Sequence, residues 1–227
     1  MPNIVKITTI LNPLELIAPH SCRGCGQLGE ILCDRCKKNL VKQHVNICPN
    51  CKSLNPTGKC PFCADLPPTY VIDKRSELIG NLIHDLKYHS VRALAPPLAE
   101  IINQILPPIK GNLAIVPLPT TSKHIRQRGF DHTALIAKKL AKLRHCHSID
   151  LLVRAENSVQ VGSNRKTRLV QASRAYEVNP HCLVDQNTTY ILFDDVWTTG
   201  ASLRAAYKKL QDAGAKKIII AVLALSV

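Results

Sequence analysis

One short stretch constrains this fold most: Ile191-Leu192-Phe193-Asp194-Asp195-Val196-Trp197-Thr198-Thr199-Gly200-Ala201-Ser202. An apolar run delivers two adjacent carboxylates, a turn of small and hydroxyl residues follows, and a helical pattern opens at Leu203. Such an order predicts a buried parallel strand with a ligand site at its carboxyl end. The turn can wrap a phosphate with backbone N–H groups and hydroxyls, and the helix N-terminus behind it favours negative charge. The two carboxylates can grip the vicinal hydroxyls of a sugar. A phosphate and a diol held close together describe a ribose 5-phosphate.

The order apolar-Asp-Asp-x-x-Thr-Thr-Gly-x-Ser resembles the phosphoribosyl pyrophosphate (PRPP) motif of type I phosphoribosyltransferases. That resemblance implies that Asp194 and Asp195 hold the ribose hydroxyls and serve the anomeric centre. It also implies that Thr198, Thr199, Gly200, Ala201 and Ser202 hold the 5-phosphate, with Mg²⁺ accompanying bound PRPP. The bland alternative is a strand–turn–helix corner capped by Ser202, which two uncompensated neighbouring acids argue against.

Cysteine spacing is the second strong signal. Eight of the ten cysteines form four C-x-x-C pairs: Cys22/Cys25, Cys33/Cys36, Cys48/Cys51 and Cys60/Cys63. Two thiolates at this spacing face one ion, and two such knuckles complete a tetrahedral site, so four predict two structural zinc sites. Gly24, Gly26, Pro49 and Pro61 are residues suited to tight knuckle turns. The short spacers favour sequential grouping, Cys22, Cys25, Cys33, Cys36 on one ion and Cys48, Cys51, Cys60, Cys63 on the other, with a crossed arrangement left open. Disulfides and rubredoxin-like iron are the rival readings. Residues 1–17 lack a basic start, a long apolar core and a small-residue cleavage site, which predicts a cytoplasmic chain with reduced, metal-bound thiols. Cys146 and Cys182 read as small hydrophobes, and the scattered histidines receive no chemical role.

The 227 residues suit one small module and one ordinary domain. Residues 1–66 are too short and cysteine-dense to bury a core, so metal must supply the folding there; residues 67–227 form the second domain. No apolar stretch reaches membrane-spanning length, which predicts no membrane insertion. Thirty Lys and Arg against sixteen Asp and Glu leave a formal net charge of +14. Such an excess favours polyanions, nucleic acid foremost.

Along the chain, a helical segment over residues 4–16 leads into the cysteine module, and residues 66–69 read as a linker. A short strand at 70–73 and helices at 76–88 and 94–106 follow. Strands are expected at 113–116, 149–153, 189–194 and 217–225, with helices at 131–143 and 202–213. Apolar strands alternating with helices predict an α/β fold, a parallel sheet flanked by helices. Between Pro119 and Phe130 runs a basic loop whose Arg126 and Arg128 are placed to take a diphosphate in bidentate fashion. The polar stretch 157–175 carries Arg165, Lys166, Arg168 and Arg174, and reads as a flap or an arm that tracks a nucleic-acid backbone. Tyr88 either packs or stacks on a base.

Taken together, the knuckles, Leu86-Lys87-Tyr88, Val116-Pro117-Leu118-Pro119, Arg128-Gly129-Phe130 and the Asp194–Ser202 motif resemble the ComF (ComFC) family. Its members join a zinc ribbon to a type I phosphoribosyltransferase-like domain and are associated with DNA uptake in natural transformation. Where the family usually has Asn-Gln after Arg-Gly-Phe, this chain has Asp131-His132, and its usual Asn in the long polar loop is Gln171. The resemblance implies single-stranded DNA and other DNA-uptake proteins as partners. Two functions compete: a PRPP-binding protein that handles DNA through Arg126, Arg128, Arg165, Lys166, Arg168 and Arg174, and a transferase moving ribose 5-phosphate from PRPP to an unidentified base.

Overall fold

The structure, a computed structural model, describes residues 19–44, 47–53, 59–63, 66–74, 76–155 and 175–226. The expected helix at 4–16 and the basic positions Arg165, Lys166, Arg168 and Arg174 lie outside these residues.

The cysteine module opens with two short antiparallel strands, β1 (His20–Ser21) and β2 (Leu28–Gly29), and a helix α1 (Asp34–Lys42) that starts directly after Cys33. Strand β3 (Thr69–Asp73) leads into α2 (Glu77–Tyr88) and α3 (Ala95–Ile105), the latter entered through prolines in its first turn, where a missing N–H costs nothing. Strand β4 (Leu113–Pro117) is followed by α4 (Ser122–Arg128), α5 (His132–Leu143) and β5 (His147–Ser148). Strands β6 (Leu152–Arg154) and β7 (Tyr176–Val178) pair antiparallel, and β8 (Thr189–Trp197), α6 (Ala201–Asp212) and β9 (Lys217–Leu225) complete the chain.

Five strands form one parallel sheet in the order β3-β9-β8-β4-β5, the α/β architecture that the sequence predicts. Successive strand residues point to opposite faces, so each run feeds two cores. On β8, Ile191 and Phe193 join the core under α2, α3 and α5, whereas Tyr190 and Leu192 join the core under α6 and the β6–β7 pair. The cysteine module belongs to both cores. Cys22, Cys36 and Leu40 pack into the first, and Cys48, Cys60 and Leu66 into the second beside Trp197 and Leu203.

Four expectations change. The strand expected at 149–153 is divided, since β5 joins the main sheet at 147–148 and β6 pairs with β7. The acids do not end β8, which continues in register to Trp197 opposite Leu225. Residues 66–69 are no free linker: Leu66 is buried and Thr69 opens β3. The basic loop is largely helical. Thr121 caps α4 by accepting from the His124 N–H, and Gly129 ends it in a left-handed conformation with φ of 74°.

Candidate functional site

A cavity of about 310 Å³ opens at the carboxyl ends of β4 and β8, a volume suited to a small polar ligand. One side is built from Lys87 and Tyr88 on α2 with Arg128 and His132, and the other from Arg154, Tyr176 and Ser202. Asp194 and Asp195 lie between them.

Because they are consecutive in a strand, the two acids leave it towards opposite faces. Asp195 turns to the α2–α5 side, where its Oδ2 forms an ion pair with Lys87 and a 2.8 Å hydrogen bond with His132 Nε2. An arginine only donates, so His132 Nδ1, 3.1 Å from Arg128 Nη1, must accept; Nε2 then carries the proton and donates to Asp195. Burial pushes the Asp195 carboxyl up, but the His132 hydrogen bond and the Lys87 ammonium outweigh it and hold the group below the usual carboxylate range. Asp194 is only half-buried, next to Tyr176, and accepts the Asp195 N–H at 2.9 Å. Loss of solvent and the neighbouring Asp195 charge raise its carboxyl well above the ordinary value. Asp195 is thus a fixed anion tied into the walls, while Asp194 faces the cavity with an acidity of its own.

The turn after β8 is shaped by Trp197. The indole is buried, Gly200 adopts φ of 73°, and a Cβ at that position would run into the ring. Only glycine fits. Thr199 Oγ1 accepts from the Ala201 N–H at 3.3 Å, and Thr198, Thr199 and Ser202 expose their hydroxyls at the start of α6. The N-terminus of α6 thus opens beside these side chains, an end of a helix that favours negative charge.

The two arginines of α4 part company. Residues two apart on a helix lie roughly 200° apart around its axis, so Arg128 lines the cavity while Arg126 is exposed away from it. Lys87, Arg128 and Arg154 outnumber the two carboxylates in the cavity lining. Partial burial and the charges of Arg128, Lys123, Arg154 and Lys87 hold the His124 imidazole below its usual value. A second cavity of about 170 Å³ shares Lys87, Tyr88, His124 and Arg128 with the first and adds Ser90 and Gln127. Tyr88 is 64% exposed there, with the Arg128 guanidinium 5.4 Å from its ring centroid.

The cysteines assemble in the sequential grouping: Cys22, Cys25, Cys33, Cys36 in one cluster and Cys48, Cys51, Cys60, Cys63 in the other, each set of sulfurs within 4.8 Å. Sulfurs of Cys25 and Cys33 are 3.7 Å apart, and those of Cys51 and Cys60 3.5 Å. A ZnS₄ tetrahedron with bonds of about 2.3 Å has edges of about 3.8 Å, so both clusters fit zinc, and the separations are far too long for disulfides. Cys22 Sγ accepts from the N–H groups of Gly24 and Cys33, at 3.4 and 3.3 Å. Burial opposes the Cys22 thiolate, yet such donors bring it down to about 6. The Ser53 hydroxyl and N–H bring Cys51 down to about 6.

No family profile matches the chain. Curated proteins do. It is 23% identical to the competence protein ComFC of Streptococcus pneumoniae (strain ATCC BAA-255 / R6), covering 82% of this chain and 84% of that protein. This chain is similar to the ComFC competence proteins. The ComFC of Bacillus subtilis (strain 168) is likewise 23% identical, with 82% of this chain and 80% of that protein covered. The likeness runs through most of both chains.

Lys87 and His132 are the residues that sequence reasoning underused, since no histidine received a role. The available signal was the Asp131-His132 pair. Asp131 caps α5 by accepting from the Ala134 N–H at 3.0 Å, so its neighbour enters the first turn aimed at β8. His132 is 4% exposed, a burial that demands partners.

Proposed function

We propose that the protein binds PRPP, or a phosphoribosyl compound like it, and works in the competence pathway that the names of its relatives denote. The observation that carries the reading is the split acid pair at the mouth of a cationic cavity. Asp194 accepts from the ribose hydroxyls, Thr198–Ser202 take the 5-phosphate, and Arg128, Thr120 and Thr121 take the diphosphate. Asp195 acts from behind, holding Lys87 and His132 in place. Mg²⁺ would accompany the ligand, whose oxygens would supply most of its shell; Asp194, not tied to Lys87 and His132, is the carboxylate that could add to it, and the ion would neutralise diphosphate charge. Calorimetry on zinc-loaded protein tests this. Mg²⁺–PRPP should bind at least tenfold more tightly than ribose 5-phosphate, which lacks the diphosphate; equal affinities would refute the assignment.

Single-stranded DNA is the second ligand of this reading. The net charge of +14, the second cavity and the exposed Tyr88 ring favour a strand whose phosphates meet Lys87 and Arg128 while a base stacks on Tyr88. Arg126 is a further exposed cation for such a strand, and Arg165, Lys166, Arg168 and Arg174, outside the described residues, belong to the same reading by their charge. Affinity should fall with salt by about 0.7 log units per log unit for each phosphate contacted. A salt-independent affinity would remove DNA from the account. Phosphoribosyl transfer to a base is a further reading, favoured by the divergent acidities of two adjacent carboxyls, a pattern that marks acid–base sites. Release of diphosphate from PRPP only in the presence of a base would establish it.

A further inference from the structure

From each cysteine cluster one polar side chain reaches an element that carries a residue of the cavity lining. On one side Arg23, between Cys22 and Gly24, pairs through Nε with Asp85 Oδ2 at 3.2 Å, and Asp85 precedes Lys87 by two positions on α2. On the other side stands Asn50, between Pro49 and Cys51. Its Nδ2 donates to Cys63 Sγ at 3.2 Å, and its Oδ1 accepts from both terminal nitrogens of Arg204, at 2.7 and 3.4 Å. Arg204 lies two positions beyond Ser202 on α6, with its guanidinium 5.5 Å from the Trp197 ring centroid. Trp197 is the surface against which Gly200 closes the phosphate-type turn.

The chain of contacts therefore runs from a cluster sulfur through one amide to the guanidinium that covers the indole. An amide has one orientation in which Nδ2 meets the sulfur and Oδ1 meets the arginine. Donation to a charged thiolate polarises the amide and strengthens Oδ1 as an acceptor. A sulfur fixed on a metal fixes that orientation, as partners of metal ligands commonly do in reverse.

We propose that Asn50 and Arg204 are positioning residues, which couple metal occupancy of the Cys48/Cys51/Cys60/Cys63 cluster to the shape of the Thr198–Ser202 turn. The Arg23–Asp85 pair ties the other cluster to α2, the helix that carries Lys87. The cysteine module thereby helps to set the shape of the cavity. Coupling to the turn is independent of the ligand; only its effect on affinity rests on the PRPP reading.

Trp197 is the sole tryptophan, so its emission reports on this relay with no ligand present. The experiment uses the full zinc-loaded chain, with zinc content measured for every variant. Asn50→Ala should keep two zinc ions, shift the emission to the red and raise its quenching by iodide. Asn50→Asp retains an acceptor for Arg204 but loses the donor to Cys63 Sγ and sets a carboxylate against that sulfur, so it breaks the relay at its metal end and should stay shifted to the red. Both variants keep the cysteines, and Arg204→Ala, which removes no contact to a cluster sulfur, should shift the emission in the same direction at full zinc content even where Asn50→Ala loses some metal. Asn50→Ala and Arg204→Ala should each weaken PRPP binding about fivefold, with the double variant no worse than the weaker single. Wild-type emission in Asn50→Ala, in Asn50→Asp or in Arg204→Ala, or fully additive losses, would overturn the proposal. Wild-type protein that fails to bind PRPP, with the emission pattern as expected, would refute the ligand and leave the relay standing.

Discussion

Two adjacent, chemically identical residues should respond to the same substitution with opposite signs. Asp195 is stabilised by folding and Asp194 is destabilised by it. In Asp195→Asn, Lys87 and His132 face a neutral amide, and Lys87 is left as a partly buried cation without its counter-charge. Loss of charge-assisted hydrogen bonds costs about 2–3 kcal/mol. For a chain of this size that lowers the melting temperature by roughly 5–10 °C. In Asp194→Asn the repulsion from Asp195 disappears, and the variant should gain about 0.5–2 kcal/mol, as relief of a functional charge commonly gives. The pH dependence carries the same signs. A depressed carboxyl contributes stability above its unfolded value, near 4, and loses it as pH falls towards the native value. A raised carboxyl penalises the fold above its native value and ceases to do so as pH falls through it. The advantage of Asp194→Asn should therefore fade first on acidification, and the deficit of Asp195→Asn only below about pH 4. Thermal melts of the zinc-loaded proteins between pH 7.5 and 4 should show the advantage of Asp194→Asn fading while the deficit of Asp195→Asn persists. Equal destabilisation at pH 7.5, or greater loss in Asp194→Asn, would refute the division of roles.

Arg128→Ala should weaken PRPP binding roughly 10–100-fold, whereas Arg126→Ala leaves it within twofold, as calorimetry would show. Gly200→Ala combines a left-handed backbone with a collision on Trp197, and should cost about 2–4 kcal/mol in a denaturant titration and abolish phosphate binding. His132→Gln keeps one acceptor for Arg128 and one donor for Asp195, so its melting temperature should stay near wild type; His132→Ala should lose about as much as Asp195→Asn.

Much of the fold was legible because its signals are local. The runs at 113–116, 189–194 and 217–225 are continuous and apolar, as strands of a sheet covered on both faces must be. The knuckles are legible from their spacing, whereas their grouping is not: short spacers favour the sequential sets, a crossed arrangement stays open, and the clusters in the structure decide it. The end of β8 was misjudged for a physical reason. A pair of acids reads as exposed and therefore terminal, yet Asp195 is compensated by Lys87 and His132, which lie far away in sequence. That compensation lets the strand run on to Trp197. The same step decided the site, because consecutive strand residues leave towards opposite faces and so meet different partners. Helix α4 was missed since residues 122–128 bear no buried side chain, so no apolar period reveals them. What holds them helical is a cap at each end, Thr121 and Gly129. The division of Arg126 from Arg128 then follows from helix geometry alone.

The central claim is that Asp194, on a cationic cavity, holds the hydroxyls of a phosphoribosyl diphosphate. Calorimetric titration of zinc-loaded wild type and Asp194→Asn with Mg²⁺–PRPP tests it most directly. The account predicts binding by the wild type and affinity at least tenfold weaker in a variant that melts no lower than wild type. Unchanged affinity in Asp194→Asn, or no binding by the wild type, would contradict it.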